Sequence, residues 1–597
     1  MNLFAIGWST SRAADPAPAG AILADLVTGM PFFTAGARQD WRSADGRVAV
    51  AAIAHASADG DPGTGYLHLE DRRMALFSGR PIAWTSDASA DGRGPAEASF
   101  YLRPAREWSD ALDGRCVVAR YDADAQELEV YVDPLGAYPV YRAGVPDGFW
   151  ISNSAQLLSR LTGRRELEPG VVASLVGCGW SLGGHPIWRG VERLPRGIVR
   201  RVRPSGADDR ELAPVAELVA LFGRGSSPTE TAATLVASIR AAADWPGRES
   251  IVTVTGGRDS RLVLAGAVGA GIDFVAETTA LPHHPGFPET VDVQIARRLC
   301  ALAGCEHRIN LPFVGVDFGY RESMAQLVNA SAGTVPLGDI GALAAHASLR
   351  IRHTGHAGEL GRVPSIFAAG DGEAPIMAAA AAERLTAALL PSLPRPITTA
   401  AGNEVITAYM REWTEGHAGL GLSGTDLSNL FYLLERLPNW NAPNQGIYEF
   451  TGDSAAPLWG MRMLRHQFGM SSADRRASLI TPRVLEALDS PLGPVPYEAE
   501  LQRRTFTGKV VKELRRRAGA RLAAIRGRSG ALAGAETMAE EMSHVRELVA
   551  GRRRDDPIWD VADRDRVVRL ISRHPADLPT RNRNQVRRMA TVLMLAP

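Results

Sequence analysis

Two short stretches of the sequence combine glycines with an acidic side chain, a pattern suited to binding phosphate or metal. The first stretch, Ser250–Leu264, reads SIVTVTGGRDSRLVL. Its pattern predicts a β-strand over Ile251–Thr255, a tight turn at Gly256 and Gly257, and a helix that begins at Asp259. Glycines let the backbone approach a ligand closely, and a helix N-terminus presents free N–H groups and the positive end of the helix dipole. The stretch therefore predicts a phosphate-binding loop, although the lysine motif of a P-loop is missing.

The second stretch, Thr354–Arg362, reads TGHAGELGR and follows a strand-like run at Leu349–His353. Its Glu359 and the Asp259 of the first stretch supply two carboxylates from the ends of two strands. Mg²⁺ bound to phosphates requires a few hard oxygen ligands, with water completing the octahedron. In open α/β sheets such sites lie at the carboxyl ends of the strands. Together the two stretches predict a magnesium–phosphate site.

Both stretches resemble loops of a known enzyme family. The first resembles the S-G-G-x-D-S loop of the ATP pyrophosphatases, and the second resembles the G-[EY]-G-[SA]-D-E loop of asparagine and β-lactam synthetases. This resemblance implies that Asp259 and Glu359 bind Mg²⁺ and that His356 takes the place of a catalytic Glu or Tyr. It also implies an ATP and pyrophosphate site formed by Thr255, which replaces the first serine, with Gly256, Gly257, Arg258, Asp259, Ser260 and Gly355.

His356 is predicted to be the general base that takes a proton from an attacking amine. A histidine of ordinary pKa, about 6.5, suits this role near neutral pH. A carboxylate such as Glu383 or Glu373 is expected to orient the ring. The alternative is a structural histidine that hydrogen-bonds a nearby carbonyl group.

A basic segment in the last hundred residues supplies the candidates for a catalytic cation. The chain has two lysines, Lys509 and Lys512, and both lie in this segment. The resembling family has a catalytic lysine in a K-x-x-F setting, and that spacing falls on Arg503, six residues before Lys509. Either Arg503 or Lys509 could stabilise the phosphate of an adenylate or a developing oxyanion. The alternative is a solvated basic helix.

The elements that must position these loops are predicted to form a parallel sheet, because strands and helices alternate over residues 250–360. Further strands are expected at Phe274–Thr278 and Glu306–Ile309, with a helix at Glu289–Ala303 between them. Residues 370–597 are expected to be mainly helical.

The segment that leads into the first loop is predicted to be polar and then helical. Pro204–Asp209 is expected to be a loop. Apolar spacing then predicts two helices, Glu211–Phe222 and Pro228–Ala243.

Residues 1–160 are rich in short alternating apolar runs, such as VAVAAIAH, which predict a sheet-rich domain. Leu112–Val118, Asp133–Gly136 and Ile151–Ser154 resemble, in order and spacing, parts of the glutaminase-type N-terminal domain of the asparagine synthetase family. A working domain of that type needs an N-terminal cysteine nucleophile. The sequence begins MNL, so glutamine hydrolysis is not expected.

The resemblance implies an α/β fold class with a sheet-rich N-terminal domain. Residues 1–205 are expected to form a degenerate glutaminase-like (Ntn-type) α+β domain. Residues 206–597 are expected to form an ATP-pyrophosphatase-type synthetase domain with a parallel sheet and a helical C-terminal part. A length of 597 residues agrees with two or more domains.

Composition argues against several classes of partner. Basic and acidic residues both number 66, so the net charge is zero and no nucleic acid partner is expected. The four cysteines are too scattered for a disulfide framework or a zinc site. No apolar run approaches the length of a membrane span, and the start lacks the basic residues of a signal peptide. A cytoplasmic protein without a membrane partner is expected.

The chemistry that the resemblance implies is ATP-dependent amide formation. A carboxylate attacks the α-phosphate of ATP to give an acyl-adenylate and pyrophosphate, and an amine then displaces AMP. The sequence looks most like the lasso-peptide cyclases, which join the N-terminal amine of a precursor peptide to an Asp or Glu side chain in an isopeptide bond. A leader-peptide-binding protein or a protease of the same pathway is then an expected partner.

Two alternatives stay open. One is a small-molecule amide ligase, similar to β-lactam or asparagine synthetases, that uses a free amine or ammonia with a small carboxylate substrate. The other belongs to a different class: a non-catalytic scaffold that holds a peptide.

Overall fold

A computed structural model gives the fold of the chain. It describes residues 3–30, 35–55, 67–70, 72–84, 92–93, 98–244, 249–280, 289–310, 350–364, 375–390, 397–449, 453–504, 542–573, 578 and 580–596.

The N-terminal part is built from antiparallel strands, in agreement with the predicted sheet-rich domain. They are β1 (Leu3–Ser9), β2 (Ala35–Arg42), β3 (Val48–His55), β4 (Leu67–Leu69), β5 (Arg73–Gly79), β6 (Ile82–Trp84), β7 (Gly92–Arg93), β8 (Leu112–Asp113), β9 (Cys116–Asp122), β10 (Glu127–Val132), β11 (Tyr141–Val145), β12 (Gly148–Ser152), β13 (Val191–Arg193), β14 (Ile198–Arg203) and β15 (Gly206–Glu211).

Most of these strands form two stacked sheets. In the described part of the chain, the order is β13-β11-β12-β1-β3-β2 in the first sheet and β15-β14-β10-β9-β5-β4 in the second. Alternate side chains of both sheets, such as Phe4 and Val50 from the first and Val117 and Val130 from the second, share one apolar core. Because side chains alternate between the faces of a strand, each sheet also has an outer face to be covered.

Four helices accompany the first two sheets in the described residues: α1 (Ala17–Thr28), α2 (Ala98–Tyr101), α3 (Ala155–Thr162) and α4 (Pro169–Gly177). Leu23 of α1, Leu158 of α3 and Val172 of α4 are buried in a core that covers the outer face of the first sheet. The N-terminal part thus consists of a layer of helices and two stacked sheets. The outer face of the second sheet packs against the rest of the chain.

The second part of the chain contains the predicted parallel sheet. Its strands are β16 (Glu249–Thr253), β17 (Phe274–Thr279), β18 (His307–Asn310), β19 (Arg350–His353) and β20 (Asp453–Ala455). Across the described residues their order is β18-β17-β16-β19-β20, and every neighbouring pair is parallel. The strand β20 comes from the region predicted to be helical, because three residues are too few to show a strand pattern.

Helices surround this sheet and form the C-terminal part, as predicted. They are α5 (Val215–Val219), α6 (Pro228–Ala243), α7 (Asp259–Ala270), α8 (Val291–Ala303), α9 (Ala378–Leu389), α10 (Ala400–Ala418), α11 (Gly424–Phe431), α12 (Ala442–Glu449), α13 (Met461–Gly469), α14 (Ser472–Arg476), α15 (Ile480–Ala487), α16 (Glu498–Arg504), α17 (Ile558–Val561), α18 (Arg564–Ile571) and α19 (Thr580–Leu595). A π-helix, Tyr432–Asn441, joins α11 to α12. No helix in the described ranges has both the length and the apolar character that crossing a membrane requires.

Two local predictions ahead of the parallel sheet are wrong. The segment at Pro204–Asp209 is not a loop, because β15 pairs with β14 from Arg203 opposite Gly206 onward. The side chains of β15 are largely exposed, because it is a polar strand at the edge of the sheet. It therefore lacks the alternation of apolar and polar residues that marks a half-buried strand. The helix expected over 211–222 shrinks to α5. The predicted domain boundary at 205 and 206 falls inside this hairpin.

Candidate active site

The candidate site lies where the strand order of the parallel sheet reverses. β16 lies between β17 on one side and β19 on the other, so the loops after β16 and β19 leave the sheet side by side. In open α/β sheets, ligands bind in the crevice at this switch point, outside the carboxyl ends of the strands. The two stretches singled out in the sequence therefore meet at one place.

The first loop is held in shape by its own side chains. The hydroxyl oxygens of Thr255 and Ser260 lie 2.9 Å apart, and the backbone N–H of Gly257 donates to Thr255 Oγ1 over 3.2 Å. The backbone N–H of Gly256 donates to Asp292 Oδ1 over 2.6 Å. The helix α7 that follows begins without a side-chain cap. Its first backbone N–H groups therefore suit an anion.

Two arginines beside this loop contact Tyr497, which precedes α16, and one of them also contacts α16 itself. The Arg258 guanidinium lies 3.9 Å from the centre of the Tyr497 ring and 3.7 Å from Glu500 Oε1. The buried Arg261 guanidinium lies 4.1 Å from the centre of the same ring. These cation–π contacts tie the loop to the C-terminal part. A role for the Arg258 side chain in ATP binding stays a prediction.

The second loop lies directly on the first turn of α7. A methyl group added at Gly355 would come within 2.8 Å of the Ser260 nitrogen, and one at Gly358 within 2.4 Å of Asp259 Cγ. Between them Ala357 holds a left-handed φ of 69°, a conformation that glycine adopts most easily. The two loops are packed so closely that a side chain at Gly355 or Gly358 would force them apart.

Asp259 and Glu359 converge on one cationic nitrogen. Arg362 Nη2 lies 2.6 Å from Asp259 Oδ2 and 3.6 Å from Glu359 Oε1. Burial raises the pKa of Asp259, repulsion by Glu359 adds to that rise, and the ion pair with Arg362 opposes it.

The pair of carboxylates fits the predicted Mg²⁺. In the described residues no cluster of three or more His, Cys, Asp or Glu side chains could hold a metal ion. Mg²⁺ does not need such a cluster, because it is usually held by one or two carboxylates while phosphate and water oxygens complete the octahedron. Asp259 and Glu359 are oxygen donors already gathered around a cation.

His356 points its Nδ1 at an amide rather than at a carboxylate. Gln445 Nε2 lies 3.0 Å from His356 Nδ1, and the Ser454 hydroxyl donates to Gln445 Oε1. The Ser454 bond orients the amide so that Gln445 donates to Nδ1, which leaves the proton of a neutral ring on Nε2. Burial lowers the pKa of His356 to about 4, although nearby Asp259 opposes the shift.

These contacts correct two expectations about His356. Its pKa lies below the ordinary value, because partial burial of the ring disfavours the charged form. The expected orienting partner Glu383 lies exposed on α9, and the observed partner is Gln445. The other expected partner, Glu373, lies outside the described residues.

Comparison with known proteins gives no family assignment. No family model and no curated protein matches the chain. Among solved structures, an allosteric regulatory enzyme of purine biosynthesis is 10% identical over 52% of this chain and 80% of that chain, with a TM-score of 0.24. A glutamine phosphoribosylpyrophosphate amidotransferase from B. subtilis, complexed with ADP and GMP, is 10% identical over 61% of this chain and 77% of that chain, with a TM-score of 0.23. Because both TM-scores are this low, the function has to be inferred from the site.

The predicted catalytic cations stay predictions. Lys509 lies outside the described residues, and Arg503 lies in α16, where the path of the backbone is described. That helix starts at the first loop, since the backbone N–H of Glu498 donates to the Gly256 carbonyl over 3.1 Å. The structure thus places the N-terminus of the helix that carries Arg503 beside the first loop.

Two site residues were missed in the sequence. Arg362 is the last residue of the second stretch, and the loops of the family that this stretch resembles have no matching arginine. Its importance is visible only from its contacts with Asp259 and Glu359. Tyr432 begins the π-helix and hydrogen-bonds Glu359, and burial together with that negative charge raises the pKa of its phenol. A π-helix is rare and often marks a functional site, but no sequence pattern distinguishes it from an α-helix.

Proposed function

We propose that the protein is an ATP-dependent carbon–nitrogen ligase that uses Mg²⁺ and forms an amide through an acyl-adenylate. The observation that carries the proposal is the convergence of Asp259 and Glu359 on one cation position beside the uncapped start of α7. Two carboxylates suit Mg²⁺ that is also bound to phosphates, and a free helix N-terminus suits the phosphates themselves.

The carboxylates and the glycines of the site have separate tasks in this proposal. Bound ATP supplies the α-phosphate that activates the acyl carboxylate. Asp259 and Glu359 would hold Mg²⁺, which would neutralise charge on the departing pyrophosphate. Gly256 and Gly257 let the backbone approach the phosphates, and the small residues of the second loop keep the two loops together.

The proposed task of His356 is to donate rather than to accept a proton. With Nδ1 occupied by Gln445, its free Nε2–H suits an oxygen on which negative charge develops, and a pKa of about 4 keeps the ring neutral. A neutral imidazole that serves as a hydrogen-bond donor is a known catalytic device. The proton of the attacking amine then needs a different acceptor.

The proposed nitrogen source is an amine on the substrate. Cys116 and Cys178, the cysteines of the first 205 residues, are both buried, and burial raises the pKa of each thiol. A thiol in that state is a poor nucleophile toward a glutamine amide. We propose a precursor peptide as the substrate, whose N-terminal amine attacks an activated Asp or Glu side chain, as the resemblance to lasso-peptide cyclases implies.

Titration calorimetry with Mg–ATP tests this function. The wild-type protein is expected to bind Mg–ATP, and Asp259→Asn is expected to weaken binding at least about tenfold, because a charged ligand of the metal is lost. Asp209→Asn is the matched control, since Asp209 forms an ion pair with Arg200 on the β14–β15 hairpin. A folded wild-type protein that does not bind Mg–ATP would contradict the proposal and favour the non-catalytic scaffold.

A further inference from the structure

The side chain of Arg362 occupies the position where the proposed function needs a metal ion. One nitrogen, Nη2, contacts both carboxylates, at 2.6 Å from Asp259 Oδ2 and 3.6 Å from Glu359 Oε1. A guanidinium nitrogen and a Mg²⁺ ion cannot share that point, because each would occupy the same volume and repel the other's charge. Arg362 and a metal held by these carboxylates therefore exclude one another.

The backbone of Arg362 is fixed, so the exchange can involve only its side chain. The buried Asn429 donates through Nδ2 to the carbonyl oxygens of Leu360 and Arg362, over 3.0 and 2.9 Å. The backbone N–H of Arg362 donates to the Glu359 carbonyl over 3.1 Å. These bonds hold the turn at Gly358–Gly361 in place whatever the guanidinium does.

The guanidinium itself is loosely held. Its side chain is 29% exposed, and its Nε, although buried, has no hydrogen-bond partner among the described residues. The Nε of Arg475 also lacks a partner among the described residues, but that arginine is fully buried, pairs with Asp426, and donates to the carbonyl oxygens of Phe468 and Met470. Arg362 therefore has unused donors and room to turn toward another acceptor.

We propose that Arg362 is a resident cation that keeps Asp259 and Glu359 together before ligand binds and gives up its place to Mg²⁺ when Mg–ATP arrives. Its guanidinium then turns to the phosphates, for which its planar donors are well matched. The inference rests on the proposed function. If Arg362 acts in this way, the site binds the metal ion together with the nucleotide and binds the free metal ion only weakly.

Substitution of Arg362 separates the two roles. Arg362→Met leaves two neighbouring carboxylates without a cation, so we expect at least a tenfold gain in affinity for Mn²⁺ alone, measured by electron paramagnetic resonance without nucleotide. The same variant loses a donor to the phosphates, so we expect at least a tenfold loss in Mg–ATP affinity by calorimetry. Arg362→Lys keeps the charge and is expected to stay within about threefold of wild type for Mn²⁺ alone.

Arg350→Met is the matched control. Arg350 is 30% exposed and pairs with Glu249 over 2.7 Å, at the other end of β19, so its loss should change neither affinity. Unchanged Mn²⁺ binding in folded Arg362→Met would overturn the inference and leave Arg362 as a structural ion pair, provided that the wild type binds Mg–ATP. If the wild type does not bind Mg–ATP, the proposed function fails instead. If Arg362→Met does not fold, the test rests on Arg362→Lys, which keeps the charge. A gain of tenfold or more in its Mn²⁺ affinity over wild type would overturn the inference.

Discussion

At the scale of single residues, the properties of the site depend on hydrogen-bond partners that lie outside the two loops. His356 lies in the second loop, and its hydrogen bonds decide what it can do there. Gln445, 89 positions away, donates to Nδ1 and is itself fixed by the Ser454 hydroxyl. The ring is thereby held as a neutral donor, a property that its position in the sequence does not reveal.

We predict that His356 does not titrate near neutral pH. With a pKa lowered to about 4 by burial, the ring stays neutral from pH 8 down to about pH 5. In NMR spectra of protein with labelled histidine, the signal that disappears in His356→Gln should keep its chemical shift over this range.

Gln445→Glu should reverse this behaviour, because a carboxylate beside Nδ1 favours the charged imidazolium and raises the pKa. The signal of His356 should then shift between pH 5 and 8. Gln294→Glu, at an exposed position of α8, is the control and should leave the signal unchanged. A wild-type His356 that titrates near pH 6.5 would contradict a ring that stays neutral at pH 5 and would restore its role as a base.

At the scale of elements, the site depends on how closely the second loop approaches α7. Gly358→Ala would place a methyl carbon 2.4 Å from Asp259 Cγ, so the loops must separate. We predict at least a tenfold loss of Mg–ATP affinity and a destabilisation of about 1–3 kcal/mol, which is typical of overpacking. Calorimetry and urea unfolding measure the two effects.

Gly416→Ala is the control for this substitution. Gly416 lies within α10, and a methyl group there would meet no other atom of the described residues within 4 Å. Alanine is the better helix former, so this variant should keep Mg–ATP affinity and gain about 0.5–1 kcal/mol of stability. If Gly358→Ala bound Mg–ATP as tightly as the control, the close approach of the loops would be irrelevant to the site.

The strand β19 that carries the second loop should also make stability depend on pH. His353 is fully buried, its Nε2 lies 3.2 Å from Ser250 Oγ, and burial lowers its pKa from 6.5 to about 4. As the pH falls, the unfolded chain binds this proton first, so stability is lost between about pH 6.5 and pH 4.

Between pH 7 and pH 5, we expect the wild type to lose about 2 kcal/mol more free energy of unfolding than His353→Gln. Urea unfolding at the two pH values measures this difference. Glutamine is the chosen replacement because it cannot titrate but can still hydrogen-bond Ser250. Equal losses in both proteins would show that His353 binds its proton as readily in the folded as in the unfolded state.

Elements with strong local signals could be predicted from the sequence, and those set by distant contacts could not. The helix α6 was predicted from its apolar spacing with its observed bounds, and in the structure Ser227 caps its N-terminus while Pro228 lies in its first turn. The strands β16 to β19 of the parallel sheet were predicted to within two residues. The strand β20, the π-helix and the partner Gln445 arise from tertiary packing, which leaves no periodicity to detect.

At the scale of the whole molecule, the N-terminal sheets support the strand that carries the second loop. The outer face of the second sheet shares an apolar core with the parallel sheet, in which Phe77 and Val118 pack with Ile351 of β19 and Ala455 of β20. Asp113 accepts hydrogen bonds from the first backbone N–H groups of α13, which caps that helix across the interface. The first domain thus buttresses the strand from which the second loop emerges.

A buried ion pair joins the two parts of the molecule and allows this support to be measured. Arg115 pairs with Glu449, and their side chains are 4% and 3% exposed. Arg115→Met leaves a buried carboxylate without its partner, so we predict a destabilisation of about 3–5 kcal/mol by urea unfolding. An exposed pair is worth far less, so Arg189→Met, which breaks the pairs with Glu166 and Glu168, should cost much less stability than Arg115→Met.

The double variant Arg115→Met/Glu449→Leu tests whether charge or shape holds the interface. With both charges removed, the desolvation penalty disappears as well, and most of the lost stability should return. Because Arg115 lies close enough to His356 to lower its pKa, Mg–ATP affinity should be compared in the same proteins. A double variant as unstable as Arg115→Met would mean that the shape of the arginine and its bond to the Ala442 carbonyl, at 3.1 Å, hold the two parts together.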